Sequence, residues 1–385
     1  MRPNPPAVRL SRSIGWLIGI ICVLWIACDR DDTTPTQTAT PASRPTTATA
    51  PAPVPADSRD DPAAPRALPS SDDLPGWVKI EPIRVVDPAR IDTLITDASV
   101  LQAARAYRLD RCAGCTYASP PIRATTLLFE LTDSDEAFGL FSVLTRRAGL
   151  RPRPEDGMMI EHRRSGDRTT TVGWQGRTCL VLDAAQATGE DHIQSVDLLA
   201  RRILFSVPAS DPPFIMRAIP GAKLANGKVW MVRRTSTLNS TALPALTRIA
   251  SAGLDDVLGL TGEPRLWIAA LGESADPQTP TAEPAFSETL LPSSEHLVWL
   301  IRYDDDAAAR RAFERYQQHL LAGDADHRRR TILSEPRGPF LAGSWTATAE
   351  AAAPLLPTLL DMLPASTNLP ETRRPAAPVG TKAAG

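Results

Sequence analysis

Cys112-Ala-Gly-Cys115 is the constellation in this 385-residue chain with a chemical spacing. Two thiols three positions apart in an oxidising compartment can form a redox disulfide or supply half of a metal site. A c-type haem needs His directly after the second cysteine, and Thr116 stands there instead. Zinc needs two further ligands. Cys179 with either His162 or His192 could supply them, but no second paired motif backs the set. A thioredoxin-like site opens a helix after a strand, whereas this pair follows a predicted helix into a predicted loop. The bland alternative is a structural loop disulfide, or two thiols left reduced. If Cys112 and Cys115 pair, Cys179 is left over inside an apolar strand.

A different chemistry attaches to Cys28. Arg2, Arg9 and Arg12 precede an apolar run over residues 14–27, and Asp29-Arg30-Asp31-Asp32 follows it. A basic start, an apolar core and a small residue before the cut describe an export signal. A cysteine placed after that small residue is what lipoprotein processing needs: its thiol takes a diacylglycerol and cleavage makes it the new N-terminus. The box Trp25-Ile26-Ala27-Cys28 has Trp where Leu is usual. An uncleaved span would want about 20 apolar residues, and an ordinary signal would want a small residue at position 25. The expectation is a signal peptide over 1–27, lipid attachment at Cys28, and the membrane as a partner. Asp29 resembles the inner-membrane retention signal of some bacteria.

The remaining candidates point to structure. His296, His319 and His327 are scattered, and no His-Glu-x-x-His occurs. Asp304-Asp305-Asp306 and Asp133/Asp135 lack the glycine and terminal glutamate of a calcium loop, and helix capping accounts for them. No nucleophile elbow, phosphate loop or dinucleotide fingerprint is present. No metal or cofactor is expected. A net charge of −2 gives no reason to expect nucleic acid.

The elements that position these residues fall between two loose ends. Residues 28–70 are rich in Thr, Pro, Ala and Ser, too polar to offset their ordering entropy, and read as a disordered tether. At about 3.1 Å per residue in extended polyproline geometry, its forty-odd residues reach roughly 120 Å. Residues 366–385 read as a loose tail.

Between them a folding unit recurs over 71–210 and 211–365. Leu127-Leu-Phe-Glu-Leu131 reads as a strand, and Asp133 and Glu136 stand at capping-box spacing. The helix that follows carries Ala137, Phe141 and Leu144 on one face. The later passage has a strand at 296–303, acidic residues 304–306 and a helix with Ala309, Phe313, Tyr316 and Leu320 on one face. Residues 169–174 and 178–182 flank Gln175-Gly176-Arg177 and predict a hairpin, followed by a helix with Val196, Leu199 and Ile203. The second copy offers a strand at 340–345 without a clear partner, then a helix ending near 361–364. Each copy also has an upstream helix, over 88–101 in the first and from Pro244 to Leu258 in the second. Residues 274–295 read as a mobile loop.

Leu74-Pro-Gly-Trp77, the strand at 127–131 and Asp135-Glu-Ala-Phe-Gly-Leu140 resemble a domain-of-unknown-function family of bacterial envelope proteins, over about residues 70–365. The resemblance implies no activity and no ligand. The fold expected is α+β, with two related repeats, each an antiparallel sheet with helices packed on one face. The function expected is a lipid-anchored envelope protein acting as a non-catalytic binding or structural module, its partner an unknown envelope protein or ligand. Thiol-disulfide or metal-dependent activity at Cys112/Cys115 is the alternative.

Overall fold

The computed structural model describes residues 65–70, 73–145, 157–187, 189–211, 224–240, 253–262, 264–271, 296–323, 325–345 and 355–361, with Pro213, Ile215, Met216 and Ile249 between them. Cys28, most of the tether, the residues around Pro244, the loop over 274–295 and the tail lie outside the described residues. The described residues fall within one compact unit.

In chain order the elements begin with β1 (Val78–Lys79), β2 (Arg84–Val86), a 3₁₀ segment (Pro88–Thr93) and α1 (Ala98–Arg105). There follow β3 (Leu109–Ser119), β4 (Ile122–Leu131), α2 (Ser134–Leu144), β5 (Met159–Ser165), β6 (Arg168–Gln175), β7 (Thr178–Ala185) and α3 (Glu190–Phe205). The later elements are β8 (Leu224–Val232), a 3₁₀ segment (Thr235–Ser240), α4 (Leu254–Leu258), β9 (Arg265–Leu271), β10 (His296–Arg302) and α5 (Asp306–Ala322). The last are α6 (Ala325–Arg330), β11 (Thr331–Leu333), β12 (Phe340–Trp345) and α7 (Leu355–Asp361).

The fold is α+β with two antiparallel sheets. The first runs β3-β4-β7-β6-β5, with β1 and β2 both paired to β3; the second runs β8-β9-β10-β12-β11.

Helix α2 forms because Asp133 caps it: its carboxylate accepts the Glu136 amide at 3.0 Å. Its residues 136–143 are all buried, and a helix apolar around its whole circumference must be packed on every side. It lies between the two sheets. Phe138 meets Trp174 of the first sheet edge-on at 5.6 Å and stacks on Trp267 of the second at 6.0 Å. Tyr107 donates to the Met231 carbonyl at 2.8 Å, and the Ser142 hydroxyl accepts the Met231 amide at 3.3 Å. Gly139 permits this approach, since a Cβ there would sit 2.6 Å from Met231 Cε and 3.0 Å from its carbonyl oxygen.

Glu136 does not turn back to close a capping box. Its carboxylate accepts from Arg233 Nε at 2.7 Å and from the Arg108 amide at 3.1 Å. Arg265 Nη1 donates to Asp135 at 2.8 Å, and the same guanidinium also meets Asp133 and Glu136. Burial pushes the Asp135 carboxyl above its ordinary value, against the pull of Arg265.

The other face of the first sheet is also covered. Val196, Leu199, Ala200, Ile203 and Leu204 of α3 share a core with Leu180, Leu182, Cys115 and Tyr117. The expected arrangement of helices on one face therefore does not describe the first sheet, which holds α2 on one side and α3 on the other. Leu74 and Trp77 of the entry motif are buried in the α3-side core. So is Leu68, and Tyr117 donates to the Pro69 carbonyl at 2.9 Å, so packing begins inside the stretch read as tether. In the second sheet, Trp299 meets Tyr316 of α5 edge-on, and Trp345 Nε1 donates to the Tyr316 hydroxyl at 2.8 Å.

The helix expected over 88–101 is broken in two. Asp97 accepts from the amides of Ser99 and Val100 at 2.7 and 3.2 Å, which starts α1 afresh after the 3₁₀ segment. The missing partner of the 340–345 strand is β11, three residues long.

Candidate functional site

The structure separates the two cysteines singled out by their spacing. Both lie within β3, in place of the expected loop, and every residue from 112 to 117 is buried. Side chains alternate across a strand, so positions three apart face opposite ways. Cys112 points into the core that holds α2, and Cys115 into the core that holds α3. Cys112, Cys115 and Cys179 are free thiols, all buried. Burial pushes the Cys112 thiol up to about 12. It pushes the Cys179 thiol higher still, with Cys112 a smaller contributor. Cys112 and Cys179 share a row across the sheet but are held apart by Phe129, which pairs with both. Redox and metal-binding cysteines act as thiolates, and Cys112 and Cys179 are held neutral.

The histidines weighed as zinc ligands are placed elsewhere. His162 on β5 pairs across to Thr171, which puts it on the α3 side, opposite Cys179. Its Nδ1 lies 2.8 Å from the Thr171 hydroxyl and its Nε2 3.0 Å from Asp197, which also accepts from Arg201 at 2.6 Å. Burial raises the Asp197 carboxyl, but the hydrogen bonds from His162 and Arg201 outweigh it and hold the group below its usual value. Thr171 is fully buried, so this chain of contacts fastens α3 to β5 and offers no nucleophile. His192 is half-buried near the start of α3. Among the described residues no three His, Cys, Asp or Glu side chains gather to hold a metal ion.

What the fold does build is a cleft. On the α2 side of the first sheet, three neighbouring rows change character in steps. The innermost is Met159, Trp174, Cys179, Phe129 and Cys112, wholly buried. The next is Glu161, Val172, Val181 and Leu127. The outermost is Arg163, Thr170, Asp183 and Thr125. Helix α2 covers the innermost row and ends at Leu144, short of the outer two. The 3₁₀ segment and α1 rise on the other side.

The space left has a cavity volume of ≈130 Å³. Its floor is Leu127, Val172 and Val181. Its walls are Leu94, Ile95, Val100 and Ala103 on one side and Val143 and Leu144 on the other, and its rim is the outer polar row with Thr96, Asp97 and Ser99. Two of the rim charges are already occupied. Asp97 caps α1. Asp183 accepts from Arg168 through Nε at 3.2 Å and again through Nη2. An apolar recess with a few polar groups at its mouth has the build of a small-molecule site.

No spacing in the sequence announced this site, because its lining comes from seven separate elements and linkers. The one available signal was a β5 strand carrying Glu161-His-Arg-Arg-Ser165, whose polarity conceals it as a strand.

No helix among the described residues is long and apolar enough to cross a membrane. No family model and no curated protein matches the chain. A solved structure described as crystal form I of TP0453 is similar over 76% of this chain and 96% of that one, at 9% identity and a TM-score of 0.23; at that score the likeness carries no inference.

Proposed function

We propose that this chain is an exported protein anchored through a lipid on Cys28, and that its folded part is a non-catalytic binding module with its ligand site in the cleft on the first sheet. The observation that carries the binding role is the graded floor. Half-buried Leu127, with Val172 and Val181 buried at 6% and 5% exposure, floors a small apolar recess beside the end of α2, edged by hydroxyls and charges. An apolar cavity kept beside polar rim groups serves a ligand, whereas a purely structural module would gain by filling it. The anchor rests on the sequence around Cys28, and the expectation of an envelope location follows from it.

The module is a duplicated unit in this reading. The strand orders support it, because β3-β4-β7-β6 and β9-β10-β12-β11 run alike, each flanked on the first strand by earlier strands, β1 and β2 or β8. The helices follow the same order: α1 and α4 before the first strand of each run, α2 and α5 after the second, α3 and α7 after the last long strand. Thiol chemistry would need Cys112 and Cys115 on one accessible surface, and they face separate cores.

The test uses benzene as a neutral probe of the recess, followed by ligand-detected NMR on the full chain. Wild-type protein should bind it saturably, and Leu127→Trp, which fills the floor, should abolish binding while the protein stays folded by circular dichroism. Equal binding by the folded variant would place the site elsewhere and overturn the reading.

A further inference from the structure

We infer that the cleft selects a small apolar carboxylate, with Arg163 taking the acid group; this rests on the cleft being the binding site. Size comes first. An apolar cavity of about 150 Å³ accommodates benzene, so ≈130 Å³ suits a hydrocarbon body of about six carbons. The charge of the ligand follows from what is left unmatched at the rim. Asp183 is gripped through both oxygens by Arg168. The Asp97 carboxylate holds the Ser99 hydroxyl at 2.6 Å together with the first amides of α1. Glu161, one row inward on β5, already has an interaction of its own.

Arg163 lines the cleft and makes no ion pair among the described residues. It therefore supplies the rim's uncommitted charge, and that charge is positive. A guanidinium presents a planar fork that matches a carboxylate with two parallel hydrogen bonds. Thr170, its cross-strand neighbour, stands beside it with a hydroxyl. A ligand with an apolar tail on Leu127, Val172 and Val181 would thus bring its acid group to Arg163 and Thr170.

The experiment titrates the full chain with hexanoate, 1-hexanol and hexylamine, which share a tail and differ in head group, using ligand-detected NMR. Hexanoate should bind about two- to fivefold tighter than 1-hexanol, as expected for an ion pair to an exposed arginine, and hexylamine should bind weakest. Arg163→Gln should bring hexanoate down to the level of 1-hexanol and leave 1-hexanol unchanged. Equal binding of acid and alcohol, a preference for the amine, or an unchanged ratio in Arg163→Gln would overturn the inference while leaving the cleft a binding site. Failure of hexanoate, 1-hexanol and benzene alike would overturn the cleft reading itself.

Discussion

Replacing Glu136 by alanine should be among the most damaging single changes in the folded part. Glu136 is fully buried, and its partner Arg233 is 6% exposed. The pair joins residues 97 positions apart, one in the helix between the sheets and the other at the end of β8. Removing the carboxylate takes a buried charged partner from the Arg233 guanidinium, which also donates from Nη1 to the Gly262 carbonyl at 2.6 Å. It also removes an acceptor from the Arg108 amide. Arg265 is less affected, because it keeps Asp133 and Asp135.

Breaking one side of a buried pair costs about 3–5 kcal/mol. At about 2–4 °C per kcal/mol for a domain of 150–250 residues, the melting temperature should fall by about 6–20 °C. The assay is thermal and guanidinium unfolding followed by circular dichroism, on Glu136→Ala, Arg233→Met and the double variant Glu136→Leu/Arg233→Met. Two charges removed together leave neither of the pair as a lone buried charge, so the double variant should be less destabilised than the sum of the singles by about 2 kcal/mol. A loss under about 1 kcal/mol in Glu136→Ala, or additivity within about 0.5 kcal/mol, would refute the reasoning.

Gly139→Ala should destabilise by about 1–3 kcal/mol in denaturant melts despite alanine's better helix propensity, because the new methyl collides with Tyr107 and Met231; a gain in stability would contradict the close packing of α2 against both. The Asp197 carboxyl is held below its usual value in the folded state. Its contribution to stability is therefore complete above the unfolded value of about 3.9 and is lost as pH falls through the lower folded value. Stability measured against pH should drop more steeply on the acid side in wild type than in Asp197→Asn, and coincident acid limbs would count against the contact. The thiols of Cys112 and Cys179 should resist alkylation until the protein unfolds, read by mass spectrometry. The same spectrum should give a mature N-terminus at an acylated Cys28, and an unmodified full-length chain would remove the anchor.

Local signals were the legible ones. Asp133 and Asp305 cap α2 and α5, accepting amides three residues on at 3.0 and 2.6 Å. Gly176, with φ +54°, turns the β6–β7 hairpin where its sequence placed it. These features depend on a few neighbouring residues, so the chain displays them directly. Strand β3 was hidden for the opposite reason: covered on both faces, it shows no alternation, and Cys112-Ala-Gly-Cys115 reads as a chemical motif when it is small-residue packing. β5 was hidden by its charges, and β11 by its three-residue length. The split between the 3₁₀ segment and α1 turned on Asp97, which competes as a cap within an apparently continuous apolar pattern. The cleft is assembled across the sheet by register, a relation between distant segments that no local window contains.

The most direct test of the binding account is a methyl-resolved NMR titration of the full chain with hexanoate. Saturable shifts are expected, concentrated on methyls of Leu127, Val143, Leu144, Val172 and Val181, which line the cleft. Saturable shifts centred on methyls outside the cleft, or none at concentrations that saturate other small-acid sites, would contradict it.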